Sequence, residues 1–131
     1  MKRIHITLLG LIIAFGLGCA VSSNDKELIA GSDYKLWQRV DPQSEERGTR
    51  TYYFFDAKGN YKLFKKYKNQ DKIVPYEMGD VLLIEEWKTL GRDSVSIGGM
   101  DYKIELLNDT AFSFSDSEKQ LTMLIYKNDK L

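Results

Sequence analysis

The chain has one cysteine, one histidine and two prolines among its 131 residues. Each scarcity removes a class of answer. With Cys19 alone there is no partner for a disulfide, so a folded domain must rely on its core. The lone histidine, His5, lies in an apolar stretch near the N-terminus, and the remainder cannot assemble Ser-His-Asp or Cys-His machinery. The usual zinc sites, built from His and Cys, are excluded on the same ground. A charge imbalance is missing too: 19 basic residues stand against 19 acidic ones, which gives no reason to expect nucleic acid as a partner. No Gly-rich phosphate loop is present, because Gly98 and Gly99 are not followed by Lys-Ser/Thr. No metal and no cofactor is expected.

What is there begins at the N-terminus. Lys2 and Arg3 precede a mostly apolar run from Ile4 to Leu17, and small residues close it at Gly16 and Gly18. A positive start, an apolar middle and small residues at the end form the plan of a secretory signal. The run is shorter than the roughly 20 residues that span a bilayer. "FGLGC" resembles the lipobox of bacterial lipoproteins, with Gly18 at the small position before Cys19 and with Leu17 and Gly16 out of the usual order. That resemblance implies a cut before Cys19, acylation of its thiol with palmitate-type lipid, and a protein anchored in the cell envelope. The outer membrane is favoured over the inner, with the domain facing the periplasm or the cell surface. Three segments are expected: a signal over 1–18, the lipidated cysteine with a tether over 19–32, and one domain over 33–131. Within the tether, Asn24 or Asp25 could cap a short helix over Lys26 to Ala30 that Gly31 ends.

From Asp33 onwards the pattern is that of strands. "YKLWQRV" alternates and is rich in aromatic and branched residues. "RTYYFFDAKGNYKLFKKY" reads as two strands around a turn, with Asp56 opening it and Gly59 where a positive φ is needed. "NQDKIVPYEMGD" is the longest loop, broken by Pro75 and Gly79. "VLLIEEWKTL", "DSVSI", "MDYKIELL", "TAFSFS" and "QLTMLIYK" follow, separated by short polar connections. The fold class is all-β: an eight-stranded antiparallel up-and-down barrel, or failing closure a sandwich, since closure removes unpaired edges.

Alternation assigns faces. Tyr102, Ile104 and Leu106 share one side of their strand; Phe112 and Phe114, Leu121 with Met123 and Ile125, Tyr61 with Leu63, and Val95 with Ile97 share others. Trp37 and Trp87 plug the barrel or pack at its rim. The candidate ligand- or core-lining set is Trp37, Tyr61, Leu63, Trp87, Tyr102, Ile104, Phe112, Phe114 and Met123. Lys62, Phe64 and Lys66 read as a solvated outer face. Glu85 and Glu86 are neighbours on one strand, so one should point inward and need a partner, for which Arg39 and Arg50 are candidates.

"YKLW", "TYYFFDAKGNYKLF" and "DYKIELLNDTAFSFS" together resemble the lipocalin-like domains of small bacterial exported lipoproteins. The likeness spans nearly all of Asp33 to Lys127, and the Gly-x-Trp signature of lipocalins is absent. It implies a monomeric barrel and a binding module, not an enzyme, for a small apolar ligand or an envelope component. A second class stays open: "SVSIGGMDYK" is loosely similar to the loop with which lysozyme-inhibitor lipoproteins enter their target. "KLFKKYKNQDK", with its five lysines, could attract an acidic partner or polysaccharide.

Overall fold

The computed structural model describes residues 21–76 and 83–126; the signal segment, His5 and Cys19 lie outside the described residues, as do Gly79, Val81 and Leu82. Among the described residues two short helices accompany nine strands: α1 (Val21–Ala30), β1 (Tyr34–Arg39), α2 (Pro42–Glu46), β2 (Thr49–Asp56), β3 (Tyr61–Tyr67), β4 (Val74–Pro75), β5 (Trp87–Thr89), β6 (Ser94–Ile97), β7 (Met100–Leu107), β8 (Ala111–Ser115) and β9 (Gln120–Ile125). They form one curled antiparallel sheet in the order β4-β3-β2-β1-β9-β8-β7-β6-β5. All neighbours are consecutive in sequence except β1 and β9, whose pairing (Trp37 opposite Ile125) joins the two halves of the chain. The sheet's two ends approach each other across β3. Phe64 and Lys65 pair with β4, while Tyr61 N–H donates to Glu85 O and Trp87 N–H to Gly59 O, each at 3.0 Å.

The expected strands recur with three differences. β4 lies inside the segment read as a loop; its Pro75 is tolerated because β4 is an edge. Among the described residues of "VLLIEEWKTL" only Trp87–Thr89 is strand, and Leu83, Ile84, Glu85 and Glu86 are all exposed. Neither glutamate therefore points inward: Glu85 faces Lys62 at 4.0 Å, and Arg50 is paired instead with Glu45 at 3.9 Å. Inside "DPQSEERGTR" the chain forms α2, since Asp41 accepts from Ser44 N and Ser44 Oγ and Pro42 fits the first turn.

The β2–β3 turn is built by Asp56. Its carboxylate accepts from Lys58 N (2.9 Å), Asn60 N (2.8 Å) and Asn60 Nδ2 (2.8 Å). Gly59 takes φ +94°, which the missing Cβ allows. Burial alone would raise the Asp56 pKa, but the bonds from Asn60 and Lys58 outweigh it and hold the carboxyl below its usual range.

Inside the curl, Trp37, Phe55, Val95, Phe112, Phe114 and Met123 are each at most 1% exposed. α1 belongs to this core. It starts at Val21, earlier than its capping residues suggest, and ends where Gly31 N–H donates to Glu27 O. Ile29 and Ala30 are fully buried against the side chains inside the curled sheet, and that docking sustains a helix too short to stand alone. One expected interior residue is not inside. Leu106 is 48% exposed because the β7–β8 register shifts between Ile104 and Leu106; after the bulge Leu107 packs on the core instead. A second cluster lies outside the main core: Leu36, Tyr52 and Phe64, with Phe54, Ile73 and Tyr126 against it. The strand face expected to be solvated therefore buries Phe64, because Leu36, Tyr52, Phe54, Ile73 and Tyr126 gather with it in this cluster.

Candidate binding surfaces

All nine side chains of the candidate lining set fall in the same cluster. Trp37, Trp87, Tyr102, Phe112, Phe114 and Met123 are buried, and Tyr61, Leu63 and Ile104 pack against them partly buried. They fill space with one another. Trp37 meets Phe112 edge-on at 5.7 Å, Phe55 meets Trp87 at 5.6 Å, and Tyr102 meets Phe114 at 4.9 Å. Both indole N–H groups are used internally: Trp37 donates to Ile29 O and Trp87 to Asp56 O, each at 2.8 Å. Lys35 Nζ donates to Leu28 O at 2.9 Å, so two side chains of β1 hold the last carbonyls of α1. The helix is latched to the curled sheet as well as packed on it.

Tyr53, Tyr61 and Tyr102 stand close together in this interior. Burial raises the pKa of each phenol. Around Tyr53, Arg39 opposes the rise and Tyr102 adds to it; Tyr53 and Tyr102 add to the rise at Tyr61; Asp116 adds to it at Tyr102 and Arg39 opposes. At neutral pH these phenols are protonated and are not poised as bases. The carboxylates with lowered pKa are turn and cap residues. Asp41 is held down first by the Ser44 hydroxyl, and Asp116 by the N–H groups of Glu118 and Lys119. Among the described residues no group of three or more His, Cys, Asp or Glu is placed to hold a metal ion, and no helix is long and apolar enough to cross a membrane.

A recess of about 400 Å³ lies at the seam where the β2–β3 turn meets β5 and β6. Lys58 and Asn60 come from the turn, Glu86 from just before β5, Lys88 from β5, and Ser96 from β6. Ile84 supplies an apolar wall; it is 56% exposed and its Cδ1 lies over Gly99, next to Met100, itself 53% exposed. The seam thus combines an apolar edge with two ammonium groups and a carboxylate. Sequence reasoning named Trp87 and Glu86 but missed this recess. It depends on the pairing of Asn60 with Glu86, 26 positions apart in the numbering, which no local pattern announces.

Comparison with known proteins finds no matching family model, curated protein or solved structure.

Proposed function

We propose that this chain is a lipid-anchored envelope lipoprotein whose body is a lipocalin-like barrel acting as a binding module through its surface. The anchor reading rests on the basic start, the apolar run and the placement of Cys19. The barrel reading is supported by the single curled sheet, the β1–β9 pairing and the contact of β3 with the chain entering β5. One observation carries the binding mode. The interior is occupied by mutually packed aromatic side chains with α1 docked on them, so a ligand is received at the seam and not in a deep central cavity. An amphipathic molecule fits that recess, with its apolar part on Ile84 and its polar head between Lys58 and Lys88.

Native mass spectrometry of the full chain, purified from its own envelope in mild detergent, tests the binding reading. A retained amphiphile that is lost on Ile84→Asp is the expected result. A protein-partner adduct instead of an amphiphile would favour the inhibitor-like reading, and a bare chain would refute both. Labelling with a palmitate analogue tests the anchor separately: label that persists after Cys19→Ser would refute it.

A further inference from the structure

On the outer surface, where α2 faces the start of β2 and the end of β3, the structure holds a second recess of about 300 Å³. It is remote in composition from the seam and shares no lining residue with it. Arg50 and Lys66 sit directly opposite each other across β2 and β3. Opposed residues carry their Cβ atoms about 5 Å apart, and like charges in that register repel. Lys68 adds a third cation. Its stem lies on Gly48, where a Cβ would stand only 2.6 Å from the Lys68 Cβ. Gly48 has φ +81°, so the backbone both turns there and leaves room for the lysine to lie along the recess.

Two carboxylates, Glu45 and Glu46, form the α2 wall. Among the described residues only Glu45 of the two reaches a cation, and its 3.9 Å approach to Arg50 Nε is between exposed side chains. Lys66 and Lys68 have no ion pair among the described residues. The remaining wall is Tyr67, a residue 43% exposed at the end of β3.

Three features therefore converge: a cation group with uncompensated charge, carboxylates that can accept from hydroxyls, and an exposed aromatic face. A simple anion would use only the first and would be repelled by the glutamates. A neutral sugar would leave the opposed cations unrelieved. We infer that this recess binds an acidic saccharide, a sugar unit bearing a carboxylate or phosphate. Its anionic group lies between Arg50, Lys66 and Lys68, its hydroxyls donate to Glu45 and Glu46, and its ring stacks on Tyr67. The inference goes beyond the seam reading and requires neither the Cys19 anchor nor the recess beside Trp87.

Isothermal titration of the full chain in neutral detergent micelles tests it, using tetragalacturonate, a phosphorylated oligosaccharide, a neutral oligosaccharide of equal length and inorganic phosphate as probes. Binding of at least one acidic saccharide is expected, weakening between about 50 mM and about 300 mM salt. The Lys66→Gln/Lys68→Gln double variant should bind roughly tenfold or more weakly, as expected for lost charge-assisted contacts. Tyr67→Ala should weaken saccharide binding while Lys119→Gln leaves it unchanged. Melting curves of each variant establish that it is folded. Equal binding of the neutral sugar, equal binding of inorganic phosphate, wild-type affinity in the double variant, or an equal loss with Lys119→Gln would each overturn the assignment. Which acidic saccharide binds distinguishes a uronate from a sugar phosphate.

Discussion

Replacing Trp37 by Phe tests how α1 is held. The side chain is fully buried, its ring packs edge-on against Phe112, and its N–H is bonded to Ile29 O. Phenylalanine keeps the aromatic contact but removes the donor, leaving a buried carbonyl without that partner at a cost of about 1–3 kcal/mol. The smaller ring also gives up apolar burial worth about 1 kcal/mol. A total near 3 kcal/mol is a large share of the roughly 5–15 kcal/mol that stabilises a small domain, and corresponds to a melting shift of roughly 10 °C. Urea unfolding followed by fluorescence is well suited, because the variant keeps Trp87 as its sole tryptophan reporter. Hydrogen exchange gives the local readout: the amides of α1 should exchange faster relative to those of β8 and β9. Trp37→Ala, which adds a cavity, should lose about 4–5 kcal/mol. A Trp37→Phe loss below about 0.5 kcal/mol, with α1 amides exchanging at wild-type rates, would refute the latch.

Asp25 on α1 has its pKa raised, by burial first and by the nearby Asp93 carboxylate second. A raised folded pKa means the native state binds the proton more tightly than the unfolded chain, so this site disfavours folding above its folded pKa and ceases to do so below the unfolded value near 3.8. Asp25→Asn should therefore raise the melting temperature at pH 7 and have a smaller effect at about pH 3, as read by calorimetry. The Tyr52 hydroxyl is buried without a hydrogen bond of ordinary geometry, though Arg50 lies near enough to offset part of the burial-driven rise in its pKa. Tyr52→Phe should accordingly be neutral or stabilising by up to about 1 kcal/mol in urea titration; a loss above that would mean the hydroxyl is bonded. Leu106→Thr should change stability by less than about 0.5 kcal/mol, whereas Phe112→Ala should cost about 3–5 kcal/mol, because the bulge puts the first outside and the second is fully buried.

The alternation of apolar residues carried most of the fold. Phe112 and Phe114, Tyr61 and Leu63, and Leu121 and Met123 lie on the inner face because a strand repeats every two residues, a local rule that needs no knowledge of neighbours. The Asp56–Gly59 turn was legible for the same reason: its hydrogen bonds all lie within five consecutive residues. The rule failed at Leu106, where one extra residue in β7 shifts the phase, and a bulge is defined by the partner strand, not by the strand itself. It failed again at Phe64, since that outward position is dried by a cluster that draws Leu36, Tyr52, Ile73 and Tyr126 from other segments.

By itself, then, the sequence determined a chain of antiparallel strands with an aromatic core. Tertiary structure alone decided where recesses could form. The seam exists because Asn60 meets Glu86, and the cationic recess exists because β2 and β3 set Arg50 opposite Lys66 while Lys68 lies on Gly48. Periodicity is a property of neighbouring residues and survives in a one-dimensional string. The register between strands and the packing of loops on a sheet belong to residues far apart in that string, and only folding brings them together.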